Sequence, residues 1–194
     1  MRRSVVVYEI ETPRLRLQPL TAAAAAALHE LWTHPEVRRY LWDDEVIPPQ
    51  QTASIIATSS GLFSDKGFGL WGVRLRDVEN LIGFGGYWFF REPPELELLY
   101  GIAADRWGQG FATEAARALL RYGFETLQFP EVRGSTDVLN VASVRVLEKA
   151  GLQFDRRAVT AGLDTVHYRL TRDAFQPDNT PYRLRPATLM QPRR

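Results

Sequence analysis

Hydrophobic residues alternate with other residues in several short stretches of the chain, which is typical of strands that bury one face. The clearest stretch has them at Leu96, Leu98, Tyr100 and Ile102. Directly after it the spacing changes to three and four residues, at Ala112, Ala115, Ala116, Leu119 and Gly123. That spacing predicts an amphipathic helix from Phe111 to about Thr126, so a short turn joins a strand to a helix.

The same two periods predict the other elements of the chain. Six further strands are expected at 14–18, 69–75, 81–90, 132–137, 152–156 and 165–170. Helices are expected at 22–32, capped by Thr21, at 50–60 and at 141–149, and a short element begins at His34. Strands 69–75 and 81–90 form a hairpin, and the mixture of strands and helices predicts an α+β chain.

Length and charge narrow the class of protein. The 194 residues suffice for one domain with a substantial core, which we place at 1–175. A basic tail rich in proline follows at 176–194; we expect its order to fade past Gln176, or the tail to pack on a partner subunit. With 24 Lys and Arg against 23 Asp and Glu, the chain lacks the basic field that would favour nucleic acid or a membrane surface.

Several kinds of site and compartment are disfavoured by residue usage. The apolar run after Met1–Ser4 is too short for a signal peptide, and no run approaches the length of a membrane span, so we expect a cytoplasmic protein. The chain has no cysteine, which excludes disulfides and a thiol nucleophile. His29 and His34 lack partners at metal-ligand spacing, and no metal site is predicted.

Two glycines, Gly108 and Gly110, lie in the turn between the strand and the helix. The first backbone N–H groups of a helix have no intrahelical partner, and with the helix dipole they bind anions such as phosphates. Glycine also lets a ligand approach the backbone closely. A plain turn is the simpler interpretation of two glycines alone, but the strand–turn–helix context favours a phosphate site.

Three kinds of phosphate loop compete for this turn. A Walker loop needs Lys-Ser or Lys-Thr after the last glycine, where this chain has Phe111 and Ala112, so that loop is excluded. A dinucleotide-binding turn needs a third glycine where this chain has Thr113. Asp137 could serve as its ribose-binding acid, but too little sequence follows for a doubly wound sheet. This alternative ranks second.

The third kind of phosphate loop is indicated by a resemblance to a known family. The segment Arg106-Trp107-Gly108-Gln109-Gly110-Phe111-Ala112-Thr113-Glu114 resembles the acetyl-coenzyme A pyrophosphate loop of the GCN5-related N-acetyltransferases (GNAT). The segment from Asn140 to Leu152 resembles the Asn-x-x-Ser helix and closing glycine of the ribosomal-protein (RimJ/RimL-like) branch of that superfamily. The opening Thr12–Leu17 is similar to the first strand of the branch, and the resemblance covers about Glu11 to Phe175.

This resemblance implies a three-layer α/β/α GNAT fold, with a central, mostly antiparallel mixed sheet of about seven strands flanked by helices. It implies acetyl-CoA as the acetyl donor, held by Tyr100, Gly101, Ile102, Trp107, Gly108, Gln109, Gly110, Phe111, Ala112, Thr113 and Asn140. The family loop usually begins with Gln or Arg where this chain has Trp107, which removes a side-chain donor. Backbone N–H groups build the anion site, so phosphate binding should survive.

Acetyl transfer to an amine needs a base, because the amine is mostly protonated at neutral pH. Glu97 is the candidate, since strand alternation places it opposite Leu96 and Leu98, on the face of Leu99 and Gly101. The resemblance places the thioester beside it. The alternative is that Glu97 belongs to an ordinary solvated strand face.

The departing thiolate and the carbonyl oxygen need hydrogen-bond donors. Ser143 matches the serine of the branch, whose implied role is to bond the leaving sulfur. Backbone N–H groups near 100–102 could serve the oxygen. Asn140 is expected to cap the helix that carries Ser143, with its amide nitrogen left for the cofactor.

These features predict an N-acetyltransferase that moves an acetyl group from acetyl-CoA directly to a primary amine, since no cysteine can carry it. The resemblance favours the α-amine of a protein N-terminus. A small-molecule amine, such as an amino acid, polyamine or antibiotic, is the first alternative. A non-catalytic module that binds CoA or a peptide is the second. We expect a monomer or homodimer with no nucleic acid or membrane partner.

Overall fold

The computed structural model of the protein describes residues 6–90 and 95–187. Met1–Ser4 and residues 188–194 of the predicted tail lie outside these ranges. The strands are β1 (Tyr8–Glu11), β2 (Leu15–Pro19), β3 (Leu70–Leu75), β4 (Leu81–Phe90), β5 (Glu95–Ile102), β6 (Glu131–Asp137), β7 (Gln153–Thr160), β8 (Leu163–Thr171) and β9 (Arg183–Pro186). They form one sheet in the order β7-β8-β6-β5-β4-β3-β2-β1-β9.

The sheet is mixed and mostly antiparallel, as the resemblance implies. Among the described strands only β5 and β6 pair in parallel. Seven of the nine strands correspond to predicted ones, and β1 and β9 are additional. β1 has a single buried residue, Ile10, so its alternation is too short to detect in the sequence.

Five helices flank the sheet in the described residues: α1 (Ala25–Thr33), α2 (Pro35–Leu41), α3 (Pro49–Lys66), α4 (Phe111–Arg121) and α5 (Val141–Ala150). A π-helical turn over Tyr122–Thr126 continues α4, so the predicted range 111–126 is covered. The cap predicted at Thr21 is wrong: a 3₁₀ turn precedes α1, and the Thr21 side chain makes no cap hydrogen bond.

Two separate hydrophobic clusters show that the helices lie in two layers. On one face, α4 and α5 pack against residues such as Tyr87, Leu98 and Val132. On the other face, α1 to α3 pack against Phe84 and Leu99. The sheet therefore lies between two helical layers, as the three-layer expectation requires.

The first part of the tail packs on its own chain, which differs from the expectation that order fades past Gln176. β9 pairs with β1 along its whole length, and the Ala187 N–H donates to the Val7 carbonyl at 2.8 Å. Asp178 forms an ion pair with Arg117 at 3.0 Å. The arginines and prolines hide this strand in the sequence, because its conformation depends on the open edge of β1 rather than on local propensity.

Candidate active site

The sheet splits between β5 and β6. Glu97 and Arg133 form the one paired position between these strands in the described residues. Beyond it, β5 runs on to Ile102 and β6 to Asp137. A strand edge that is not paired presents backbone N–H and C=O groups, so an extended ligand with amide groups can bind along this part of β5.

The predicted glycine turn leads from β5 into α4 with the backbone that glycine favours. Gly108 has φ +74° and Gly110 has φ +79°, and both lie in the left-handed region. Gly110 is the N-terminal cap residue of α4, and no side chain caps this helix start. The N–H groups of Phe111, Ala112 and Thr113 belong to the first turn, which has no intrahelical acceptor for them. They can therefore bind an anion.

Arg14 holds this turn in place, and sequence reasoning did not single it out. Its Nε lies 2.6 Å from Glu114 Oε2, and its guanidinium donates to the Gln109 carbonyl at 2.9 Å. The guanidinium also lies over the Phe111 ring, 4.6 Å from the ring centroid. On the other side, the Thr12 hydroxyl donates to Glu114 Oε1 at 2.6 Å. One arginine thus joins the first strands to both the turn and the helix that follows it.

Trp107 bonds the beginning of the turn to the end of β5. Its indole N–H donates to the Ile102 carbonyl at 2.7 Å, so the donor is used within the chain. Its side chain is nevertheless about half exposed, at 48 %. Trp107 therefore supports the loop on the end of β5 and presents a flat apolar surface to solvent.

A cavity of about 440 Å³ opens beside the start of α4. Gly110, Thr113, Arg117 and Lys149 contribute to its wall. The tail closes the opposite side, with Asp178, Thr180, Pro181 and Tyr182. Sequence reasoning did not predict this cavity, because the tail that closes it lies more than 60 residues further along the chain from Gly110.

The side chains of the other predicted cofactor residues differ in what they can reach. Ile102 and Phe111 are buried in the core, so only their backbone can meet a ligand. At Gly101 a Cβ would collide with the Phe84 ring, which explains the glycine. Gln109 is exposed, and Ala112 and Thr113 are half-buried.

Glu97 lies at the point where the strands separate, and its side chain is 4 % exposed. The Ser135 hydroxyl of β6 donates to Glu97 Oε2 at 2.6 Å. Glu97 is paired with Trp88 of β4, on the face that carries Leu99 and Phe84. The alternation predicted this face correctly, but the alternative of a solvated strand face is wrong, because Glu97 is buried.

The opposite face of the split carries a pair of hydroxyl groups. The Tyr100 hydroxyl lies 2.9 Å from Ser143 Oγ and 3.1 Å from the Ser143 carbonyl, to which it can donate. Burial raises the pKa of the Tyr100 phenol well above its ordinary value, so the hydroxyl keeps its proton. Asn140 Oδ1 accepts from the Ser143 N–H at 3.2 Å, which confirms the predicted cap. Tyr100 was expected only as a cofactor contact, and its bond to Ser143 is new.

The geometry thus brings together a phosphate-type loop, a strand split, a buried carboxylate and a hydroxyl pair. Residues 14–153 match the family model of the acetyltransferase (GNAT) domain.

The chain belongs to the GNAT acetyltransferase family.

An N-acetyltransferase of Bacillus subtilis strain 168, YoaA, whose function is uncharacterized, is 32 % identical over 145 residues, which are 74 % of this chain and 82 % of YoaA. Two solved structures show the same fold. One is RimL, a ribosomal alpha-N-protein acetyltransferase in complex with coenzyme A (TM-score 0.70, 17 % identity, 84 % of this chain and 97 % of RimL). The other is the aminoglycoside acetyltransferase AAC(6')-Ib with coenzyme A (TM-score 0.69, 17 % identity, 83 % and 96 % coverage).

This GNAT protein is therefore an acetyl-CoA-dependent acetyltransferase with the α+β fold of its family. In residues 6–90 and 95–187, no three His, Asp or Glu side chains cluster closely enough to hold a metal ion. Within the same ranges, no helix is long and apolar enough to cross a membrane.

Proposed function

We propose that this GNAT protein transfers an acetyl group from acetyl-CoA directly to the α-amine of a protein or peptide N-terminus. Glu97 is the base, and Ser143 with Tyr100 donates to the leaving sulfur. The observation that carries this proposal is the position of these groups. Glu97 lies on one face of the strand split and the Tyr100–Ser143 pair lies on the other, so a reacting centre in the split meets both.

The residues around the split fit acetyl-CoA, which supplies an activated thioester. The turn at Gly108 and Gly110 and the first N–H groups of α4 suit its pyrophosphate. The wall of the cavity beside them carries Lys149, whose charge suits further phosphate, and Arg117, which is paired with Asp178 and bonds the Lys149 carbonyl. The edge of β5 beyond Glu97 suits the amide groups of its arm, as backbone pairs with backbone.

Glu97 makes the amine nucleophilic. An α-amine has an ordinary pKa of about 7.7 to 8.0, so at neutral pH it arrives mostly as the ammonium ion. Glu97 takes one proton from the ammonium nitrogen, whose lone pair then attacks the thioester carbonyl. As the C–S bond breaks, the nitrogen loses its second proton, which the departing thiolate takes up to leave as the thiol. The hydrogen bond from Ser135 holds the carboxylate in one orientation before the amine binds. This arrangement reduces the entropy that orienting the base would otherwise cost.

Ser143 and Tyr100 act on the leaving sulfur of CoA. Negative charge moves onto the sulfur as the C–S bond breaks, and the Ser143 hydroxyl donates to it. Tyr100 donates in turn to Ser143, whose position is fixed by the cap at Asn140. Backbone N–H groups of residues 100–102 lie on the same stretch of β5 and suit the carbonyl oxygen.

Two carboxylates lie near each other at the end of β6, on the strand face that carries Ser135, and they support a cationic acceptor. The pKa of Asp137, at the end of β6, is raised by burial and then by the negative charge of Asp43. Asp43 follows α2, and the Tyr40 hydroxyl of α2 reaches the Leu139 carbonyl at 3.4 Å. Two neighbouring carboxylates attract an ammonium group. The Asn-x-x-Ser helix of the RimJ/RimL-like branch supports an α-amine among such groups.

A thiol-release assay with acetyl-CoA tests the acceptor. We expect turnover of peptides with a free α-amine and none of the same peptides blocked at the N-terminus but carrying lysine. Amino acids, polyamines and aminoglycosides form the comparison panel. Turnover confined to polyamines or aminoglycosides would replace the proposed acceptor by a small molecule. Acetyl-CoA binding without thiol release from any amine would indicate a non-catalytic module.

A further inference from the structure

The burial of Glu97 leaves open how a base at this position loses its proton. The answer rests on the proposed function, in which Glu97 is that base. A residue that is 4 % exposed makes little direct contact with bulk water, and substrate or product fills the side from which the amine approaches it. Neighbouring groups therefore offer the proton a second route. The face of the sheet beside Glu97 offers hydroxyl and imidazole groups, which can accept one proton and release another.

Ser135 is the first of these groups. Its hydroxyl donates to Glu97 Oε2 at 2.6 Å, so the two side chains are in direct contact. When Glu97 gains a proton, the direction of this bond can reverse. The carboxylic acid then donates to Ser135 Oγ, and the serine proton becomes available to a further acceptor.

His167 of β8 is the second member of a row of side chains formed by Ser135, His167 and Thr160. It is the direct cross-strand partner of Ser135 in the antiparallel pair of β6 and β8, so both side chains lie on one face. The Cβ atoms of such a pair are about 5 Å apart. The His167 side chain is 5 % exposed, and its Nε2 lies 3.2 Å from Thr160 Oγ1. Thr160 is half-buried at the end of the edge strand β7, which borders solvent.

The charged groups around this row pair with one another. Arg133 lies 3.5 Å from Glu95 and 2.8 Å from Glu131. Arg169 lies 3.2 Å from Asp155 and 3.8 Å from Glu131, and Arg156 lies 2.8 Å from Asp155. Beyond them are Asp137 at the end of β6 and Asp43 after α2. The three arginines and the three carboxylates that they contact offset one another, and Asp137 and Asp43 add negative charge at the end of β6. The row of hydroxyl and imidazole groups therefore crosses a polar face.

We propose that Ser135, His167 and Thr160 form the path by which the proton of the amine leaves Glu97. Glu97 gives its proton to Ser135 Oγ while the Ser135 hydroxyl proton passes to one nitrogen of the His167 ring. The ring releases its other proton from Nε2 to Thr160 and solvent, which restores Glu97 and Ser135 to their starting states. The ring is left as its other neutral tautomer and must revert to the first one before the next proton passes. Ser135 and His167 act through Glu97 and are positioning residues rather than catalytic ones.

The test compares His167→Gln and Ser135→Ala with Ser135→Thr in the full-length protein. Glutamine keeps hydrogen bonding but cannot pass a proton, whereas threonine keeps the hydroxyl. We expect kcat to fall by about tenfold or more in the first two variants, with the KM for acetyl-CoA unchanged. Ser135→Thr should stay within about twofold of wild type. Unchanged kcat in both His167→Gln and Ser135→Ala would overturn the path.

Two further readouts separate a proton path from a structural role. The wild-type kcat should depend on the fraction of D₂O along a curve, because several protons move, and Ser135→Ala should give a straight line. Imidazole in the buffer should restore activity to His167→Gly, because it can replace the missing ring. A straight line in the wild type, or no rescue in a folded His167→Gly that binds acetyl-CoA, would contradict the path. If the histidine variants fail to fold, Ser135→Ala and the isotope curve decide alone.

Glu97→Gln distinguishes failure of the path from failure of the proposed function. Full activity in Glu97→Gln would show that Glu97 is not the base, and it would overturn both the proposed function of Glu97 and the proton path. An inactive Glu97→Gln beside fully active His167→Gln and Ser135→Ala overturns the path and leaves the proposed function intact.

Discussion

The two faces of the sheet carry different chemistry at the split between β5 and β6. One face has Glu97 with Ser135, a carboxylate that receives a hydrogen bond and can take a proton. The other has Tyr100 with Ser143, two hydroxyl groups, of which burial keeps the phenol protonated. The difference shows how one pair of separating strands holds a proton acceptor and proton donors apart, with backbone between them. In the proposed acetyl transfer, the acceptor serves the attacking amine and the donors serve the leaving sulfur.

Removing the proposed base should have the largest effect on turnover. In Glu97→Gln the amide oxygen still accepts from Ser135, so the fold is kept while the proton acceptor is lost. We expect kcat at neutral pH to fall by about 100-fold or more, measured by thiol release. Glu95→Gln, two residues away on the same face of β5, is the matched control and should keep the wild-type kcat. Equal kcat values in Glu97→Gln and Glu95→Gln would show that Glu97 is not the proton acceptor.

Removing the proposed donors to the leaving sulfur should have a smaller effect on turnover. We expect Ser143→Ala and Tyr100→Phe each to lower kcat by about tenfold, because each removes one hydrogen bond to developing charge. The double variant should lose less than the product of the two, since the groups share a bond. Tyr168→Phe, which removes a phenol bonded to Glu148 on the same face, is the control. Fully multiplicative losses would show that Tyr100 and Ser143 act separately.

The turn before α4 should affect binding of the acetyl donor rather than the chemistry. Alanine at Gly110 meets φ +79°, a conformation that costs an L-residue about 1 to 2 kcal/mol. We expect Gly110→Ala to weaken acetyl-CoA binding by about tenfold in calorimetry. Gly61→Ala is the control, because a Cβ at Gly61 meets nothing within 4 Å inside α3. That change should stabilise the protein by about 0.5 to 1 kcal/mol and leave binding unchanged.

The smallest effect should come from the arginine that holds the turn. Arg14→Lys keeps the charge but loses the fork that bonds both Glu114 and the Gln109 carbonyl. Because this ion pair is partly exposed, we expect acetyl-CoA affinity to fall by about threefold. Arg16→Lys, two residues further along the chain, should leave the affinity unchanged. An unchanged affinity in Arg14→Lys would show that the turn keeps its shape without the bonds from Arg14 to Glu114 and the Gln109 carbonyl.

The sequence predicts those parts of the molecule that depend on local pattern. The seven longer strands, the helix after Gly110 and the cap at Asn140 all follow from periodicity or from one side chain near its own backbone. Contacts between distant residues leave no such signal. Arg14 meets Glu114 across 100 positions, and Tyr100 meets Ser143 across 43. β9 has the composition of a loose tail and becomes a strand only because β1 offers it an edge.

The most direct test of the central claim is the pH dependence of two rate ratios. An ordinary α-amine deprotonates by itself above about pH 8, so it then needs no base. The account predicts that the ratio of wild-type to Glu97→Gln kcat/KM is about 100 or more near pH 7 and shrinks steadily as the pH rises. Because the pKa of Tyr100 is raised, its phenol stays protonated over this range, and the ratio of wild type to Tyr100→Phe should stay flat. A Glu97→Gln ratio that does not change with pH would contradict the assignment of the proton acceptor to the Glu97 face.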